Sequence, residues 1–276
     1  FTKEEAVEAK KLLVLVHLFD DDTDRADTAM VEFLKEVPEY KVQPGKDKIE
    51  FIRLYEKFKT IPSFSFGIVA GTNFSFVEDF TVHGVHPATT GQSRYDYELG
   101  YQFGFRANKQ FSKHVAIELG ANFTNNSFKY TGTYYQGATT TTGIEDQTWL
   151  VFPLAGTVSF LKGRLTPYLG GGAAMGYLLA AKGTYTLAYT NEATRQLPST
   201  NTENTDLAAN RERLNFWLRG VLGVRYKIPL GIVFLEGAYH YNLKQQVVAD
   251  QRYNNSSVYF NSLYLDNDFY IDNLYI

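Results

Sequence analysis

Three acids, three arginines and two histidines stand at matching places in short alternating runs: Glu98, Glu118 and Glu236; Arg106, Arg219 and Arg225; His114 and His240. A carboxylate pair such as Glu98 with Glu118 has the residue types for general acid and base work, one held protonated and the other ionised. No sugar-sized cleft is implied around them, so packing is the simpler reading. Nucleophilic catalysis needs a hydroxyl beside its base. The nearest arrangement, Ala238-Tyr239-His240-Tyr241-Asn242, has no Ser two residues beyond the His. His83 and His86 have metal-like spacing, but no third ligand can be assigned. The run Asp20-Asp21-Asp22-Thr23-Asp24 lacks the central Gly and spaced Glu of a Ca²⁺ loop, and reads as an acidic linker with a helix N-cap. Neither a metal nor a cofactor is expected.

The elements that must position these groups change character once along the chain. From Thr2 to about residue 60 the apolar period is helical. Ala6, Ala9, Leu12, Leu13 and Val16 make one face, Ala26, Met30, Phe33 and Leu34 a second, and Phe51, Ile52, Tyr55 and Phe58 a third. After Pro62 the period becomes two. Phe64, Phe66, Ile68, Ala70, Thr72, Phe74 and Phe76 alternate with small or polar residues, as do Tyr95 to Phe105 and Val115 to Phe123. In the run from Leu214 to Val224 the opposite face carries Asn215, Trp217, Arg219 and, one step on, Arg225. Further runs around 148–160, 165–179, 232–243 and 269–276 bring the expectation to about eight strands.

Connections alternate in length. Short links are expected at Ala107–Lys113, Leu161–Arg164 and Lys227–Gly231, and long polar ones at Glu78–Arg94, Thr131–Gln147, Lys182–Glu212 and Val248–Asp268. Such alternation belongs to an up-and-down barrel with short turns on the periplasmic side and long loops outside. The helical segment, residues 1–60, enters the first strand from the short-turn side and is therefore expected in the periplasm. Residues 61–276 form the barrel. Lys182–Glu212 reads as a mobile polar loop.

Composition agrees with a sheet that meets lipid: 20 Tyr and 21 Phe stand against 2 Met and 2 Trp, with 22 Gly. A net charge of −3 without a basic stripe excludes nucleic acid as a partner. Zero Cys removes disulfides, thiolate metal sites and a lipidated N-terminal Cys. No apolar stretch reaches the roughly 18 to 20 residues of a membrane helix. The chain begins at Phe1 without an initiator Met, as a mature or trimmed sequence would.

A soluble lipocalin-like barrel would turn the aromatic face inward. Volume decides against it, because Gly100, Gly104, Gly120, Gly170, Gly172 and Gly223 lie on the polar face, where a narrow lumen needs small residues. If that face is the lumen, Glu98, Arg106, Glu118, Arg219, Arg225, Glu236 and His240 share it, and buried charges must pair. They are expected to interlock as an ionic plug. Tyr134, Tyr135, Tyr185, Tyr189, Tyr253 and Tyr259, near strand ends, read as an aromatic girdle. The fold class is thus mainly β: an eight-stranded antiparallel transmembrane up-and-down barrel with a small α-helical N-terminal segment.

The stretch from Phe51 to Gly67, FIRLYEKFKTIPSFSFG, leading into Ala70-Gly71-Thr72-Asn73, resembles the entry to small outer-membrane barrels of Bacteroidota with OmpA-like or PorT-like architecture. The ending Leu274-Tyr275-Ile276 lacks the terminal aromatic of that class, so either the last strand is trimmed here or the pattern is broken. The resemblance implies a structural barrel or a component of an envelope assembly such as secretion or gliding machinery. Some barrels of this size are lipid A deacylases, but the His-x-Ser pattern is absent at His240. The expected function is therefore a non-enzymatic anchor in an envelope complex, docking through a periplasmic face of Phe33, Leu34, Phe51, Ile52, Tyr55 and Phe58, through the barrel wall or through surface loops. A narrow channel is the alternative, and a lipid-modifying enzyme the third reading. Expected partners are outer-membrane lipid, lipopolysaccharide and other envelope proteins.

Overall fold

The computed structural model describes residues 3–37, 40, 42–43, 45–58, 64–84, 92–112, 114–160, 163–189, 199–228 and 231–276. His86 and the junction 59–63 lie outside the described residues. Two compact units divide the chain, 1–62 and 63–276.

The first unit holds three helices: α1 (Lys3–Phe19), α2 (Thr23–Glu36) and α3 (Ile49–Lys57). The acidic run supplies the cap of α2, where the Asp22 side chain accepts the Arg25 N–H at 3.1 Å. Val14, Ala26, Met30, Phe33 and Phe51 are fully buried together, with Leu34 and Leu54, and Tyr55 and Phe58 pack against them. The expected docking face is thereby corrected: Phe33, Leu34 and Phe51 are the unit's own core, Tyr55 and Phe58 line it, and Ile52 is half-buried. The 52 described residues of this unit can bury apolar surface only by spending most of their periodic faces on one another. The face expected on α1 is also reversed. Val7, Val14, Leu15 and Leu18 point inward, while Leu12, Leu13, Val16 and Phe19 are exposed. The stretch LLVLVHL is apolar around most of the helix, so periodicity does not choose a side.

A polar node pins α1 to the segment before α3. Lys11 Nζ lies 2.7 Å from Asp47 Oδ1, the Tyr40 hydroxyl donates to the same oxygen at 2.7 Å, and the Gln43 N–H donates to Oδ2 at 2.7 Å. Burial disfavours the Asp47 carboxylate, but the bonds from Lys11, the Gln43 N–H and Tyr40 outweigh it and hold the carboxyl below the usual range. The node's stabilisation is therefore complete above the unfolded carboxyl pKa of about 3.9 and is lost as pH falls through the lowered folded value. Amide exchange of α1 and α3 in the full chain should show this acid limb. Asp47→Asn should weaken protection at neutral pH by about 1.5–3 kcal/mol and flatten the limb, since hydrogen bonds to a charge are lost. An unchanged limb would show that the node does not hold the unit.

The second unit is one antiparallel sheet of ten strands. They are β1 (Phe64–Thr81), β2 (Gln92–Tyr97), β3 (Leu99–Gln110), β4 (Val115–Tyr134), β5 (Thr139–Ser159), β6 (Leu165–Tyr189), β7 (Thr200–Asp206), β8 (Leu214–Ile228), β9 (Gly231–Asn242) and β10 (Asp268–Tyr275). Pairing runs β1, β3, β4, β5, β6, β8, β9, β10 and back to β1, an up-and-down ring of eight. The expected count of eight holds for the ring but not for the sheet. β2 pairs with β4 beyond the end of β3, and β7 pairs with β6 beyond the end of β8. Two ring positions are thus filled by interrupted strands, which a count of periodic runs does not foresee.

Alternation puts apolar side chains outside. Phe66 and Ile68 are 82% and 76% exposed, whereas Asn73 and Ser75 on the opposite face of β1 are fully buried. Register rows across β4, β5, β6 and β8 show the lipid-facing band: Val115–Val158–Leu169–Leu222, Leu119–Leu154–Ala173–Leu218 and Phe123–Leu150–Tyr177–Leu214. Exposed aromatics edge it, with Tyr97, Tyr101, Tyr177, Tyr239 and Tyr241 toward the long-loop end and Phe64, Phe111, Phe160 and Tyr226 toward the short-turn end. The girdle expected at Tyr134, Tyr135, Tyr185, Tyr189, Tyr253 and Tyr259 is not there. Tyr134 and Tyr185 are buried, and Tyr135 and Tyr253 are exposed beyond the band. Thr131–Gln147, expected as a long loop, is mostly strand: β4 and β5 continue and turn tightly through Tyr135, Gln136 and Gly137, all at positive φ. Inward Gly132, Tyr134, Thr139, Thr141 and Gly143 alternate with outward Thr131, Thr133, Thr140 and Thr142, so threonines stand on both faces and hydropathy does not mark the strands.

Candidate functional site

Inward positions need room, and the glycines give it. A Cβ on Gly172 would stand 2.0 Å from the Leu154 carbonyl oxygen, one on Gly100 2.0 Å from Asn73 Oδ1, and one on Gly223 2.6 Å from the Tyr168 hydroxyl. Into this space the strands aim charges from opposite sides of the ring. Arg106 on β3 makes a bidentate pair with Glu236 on β9, both bonds 2.7 Å. Arg219 on β8 reaches the same carboxylate at 2.5 Å, and the Tyr168 hydroxyl on β6 donates to it at 2.6 Å. Glu118 on β4 accepts from Arg225 on β8 and lies 3.4 Å from Arg106 Nη1. The Arg225 guanidinium also covers the Tyr168 ring at 4.0 Å. Five ring strands are thereby tied through one layer near the short-turn end.

His240 belongs to this layer as an acceptor. Arg219 Nη1 lies 3.0 Å from His240 Nε2, and a guanidinium can only donate, so Nε2 carries the lone pair and the imidazole is neutral. That use leaves it no free basic nitrogen facing a hydroxyl nucleophile.

A second layer lies toward the long-loop end. Arg211, fully buried, makes bonds of 2.7 and 2.5 Å to Glu145 on β5 and of 2.8 and 2.7 Å to Asp266 in the segment leading into β10. Gln147 donates to Glu145 at 2.7 Å and receives the Trp149 indole N–H at 2.9 Å, while the Tyr264 hydroxyl donates to Asp266 at 3.0 Å. Around the layer, Leu207, Val258 and Tyr264 from the connections pack against Tyr130, Trp149, Tyr185 and Trp217 of the wall. Val247 does the same against Phe128 and Phe269. At the rim, Arg252 pairs with Asp268, which also meets His83 Nε2 at 3.0 Å. The long connections therefore fold into the barrel mouth.

The family model described as outer membrane protein beta-barrel domain matches residues 57–246. The chain belongs to that family. No curated protein matches the sequence. Among solved structures, the outer membrane protein OprG from Pseudomonas aeruginosa is similar over 76% of this chain and 91% of its own, at 14% identity and a TM-score of 0.35.

In this outer membrane protein, six of the seven expected plug residues come together: Arg106, Glu118, Arg219, Arg225, Glu236 and His240. Glu98 does not. It sits at the break between β2 and β3, half-buried, where its N–H bonds the Ser127 carbonyl, and among the described residues it joins none of the ion pairs. The alternation read through it stops at that break. The Arg211 layer has no counterpart in the sequence reading, because Arg211 falls in Lys182–Glu212, expected as a mobile loop. The usable signal was Leu207-Ala208, an apolar pair just before an arginine in an otherwise polar stretch.

Proposed function

We propose that this outer membrane barrel is closed and non-enzymatic, an anchor for the helical unit within an envelope complex, with the short turns and helices on the periplasmic side. The observation that carries the reading is that charged layers cross the lumen near both ends, one bonded from wall to wall through Glu236 and the other joining Glu145 on the wall to Arg211 and Asp266 of the infolded connections. An ion path would require breaking buried pairs, which is costly because each partner would be left without either water or its counter-charge. The capture of His240 Nε2 by Arg219 supports a role without catalysis. Three long connections at one end of the ring, before β3, β8 and β10, support the orientation, since such barrels carry their long loops outside and their short turns in the periplasm.

Planar bilayers test the closed state directly. The purified full chain should give no steady channels at moderate voltage, while heat-modifiable migration on gels verifies that the inserted protein is folded. Steady open channels from folded protein would overturn the anchor in favour of the narrow channel.

A further inference from the structure

The geometry points to the outward face of β4, β5, β6 and β7 above the lipid band as a contact surface for the sugar headgroup of the outer leaflet's lipopolysaccharide. The inference rests on the proposed orientation, with the long-loop end outside. The lipid-facing wall changes chemistry within one register row. Below stands Phe123–Leu150–Tyr177; above it come Asn125–Thr148, Ser127–Asp146–Lys182–Asp206, Lys129–Ile144–Thr184, Thr131–Thr142–Thr186–Asn201 and Thr133–Thr140–Ala188. The wall continues for roughly ten residues per strand beyond the band, which at about 3.3 Å per residue and the usual barrel tilt is about 25 Å of height. On the opposite side of the ring, β9 ends at Asn242 and β10 begins at Asp268, so the tall wall is one-sided.

The character of this face selects its neighbour. Threonines dominate it, with Asn125 and Asn201 among them and Ile144 and Ala188 the apolar members of these rows, and Thr186 already donates across strands to Asn201 Oδ1 at 3.3 Å. Charges do not accumulate in one sign: Lys182 stands between Asp146 and Asp206, and Lys129 opposite Asp96. A phosphate-binding surface would be a basic cluster, and a protein-binding one would centre on buried aromatic anchors. Here an array of short, mainly threonine hydroxyl side chains offers many single hydrogen bonds at the fixed spacing of the strands, which suits the hydroxyls of an oligosaccharide. The face is also continuous, strand by strand, with the lipid-facing wall, so the molecules that coat the band present their headgroups at its height.

The test uses the full chain in vesicles of two compositions, one containing lipopolysaccharide with its complete core oligosaccharide and one containing lipid A without core sugars. Amide exchange in 125–134, 140–148 and 182–188 should be severalfold slower with the core present, with 115–123 protected equally in both. The triple substitution Thr131→Val, Thr142→Val and Thr186→Val keeps β-branched shape and removes hydroxyls, and should abolish most of the difference. Equal exchange in both vesicles, or slowing that survives in the triple variant, would overturn the contact. Loss of protection in 115–123 would instead count against the membrane barrel itself. Labelling of Asn254→Cys in intact cells by an impermeant maleimide checks the orientation separately.

Discussion

Arg211→Met should lower the unfolding free energy by about 3–5 kcal/mol, the largest single effect expected in the barrel. The substitution removes one guanidinium and leaves two carboxylates, Glu145 and Asp266, almost fully buried with no counter-charge. Methionine fills much of the volume, so the cost is electrostatic rather than a cavity. Fluorescence should report it, because Trp149 and Trp217 are the only tryptophans, both buried, in edge-to-face contact at 5.5 Å. Trp149 is bonded through Gln147 to Glu145, so its emission should shift to the red before the wall unfolds. Denaturant titration in micelles gives the free energy, and limited proteolysis should cut 243–267 in the variant while sparing the strands. The triple replacement Arg211→Met, Glu145→Met and Asp266→Leu should recover most of the loss, since no orphan charge remains. A deficit in Arg211→Met below about 1 kcal/mol would mean that the layer is solvated and does not close the mouth.

The contrast between the two layers explains what was legible in the sequence. The layer containing Glu236 is built from strand positions, and a period of two carries face assignment along a strand without knowledge of its neighbours. Arg106, Glu118, Arg219, Arg225 and Glu236 were therefore placed together by parity alone. Glu98 failed because a break before Leu99 resets the phase. The layer containing Arg211 depends on where connections fold, and polar connections have no period. The aromatic lining escaped for a related reason: Tyr130, Trp149 and Tyr185 are too large for a narrow lumen unless their neighbours are small. Gly143 and Gly176 supply that space, since added Cβ atoms would stand 2.4 Å from the Tyr185 ring and 2.6 Å from Trp217. In the helical unit the amphipathic faces were visible but not their use, since burial within the unit and docking to a partner demand the same pattern.

Glu236→Gln should cost about 3 kcal/mol, and the reason lies in the charge count of its layer. Three guanidiniums meet two carboxylates there, with His240 neutral, so the layer already carries an excess of positive charge. Glutamine keeps the shape and one acceptor oxygen but removes the negative charge that Arg106 and Arg219 share. Two buried guanidiniums then face each other across a neutral amide, and added salt should recover part of the loss by screening what remains accessible from the short-turn end. Tyr168→Phe provides the scale. It deletes the single 2.6 Å bond to Glu236 while keeping the ring under Arg225, so about 1.5 kcal/mol is expected, the lower range for a bond to a charged group. Glu98→Gln should be nearly silent, since that side chain joins no ion pair of the layer. If the three variants fall in the order Glu236→Gln, Tyr168→Phe, Glu98→Gln under denaturant titration, the layer works as one shared ion cluster. Equal losses for Glu236→Gln and Glu98→Gln would show instead that lumen charge as a whole, and not this bonded geometry, stabilises the barrel.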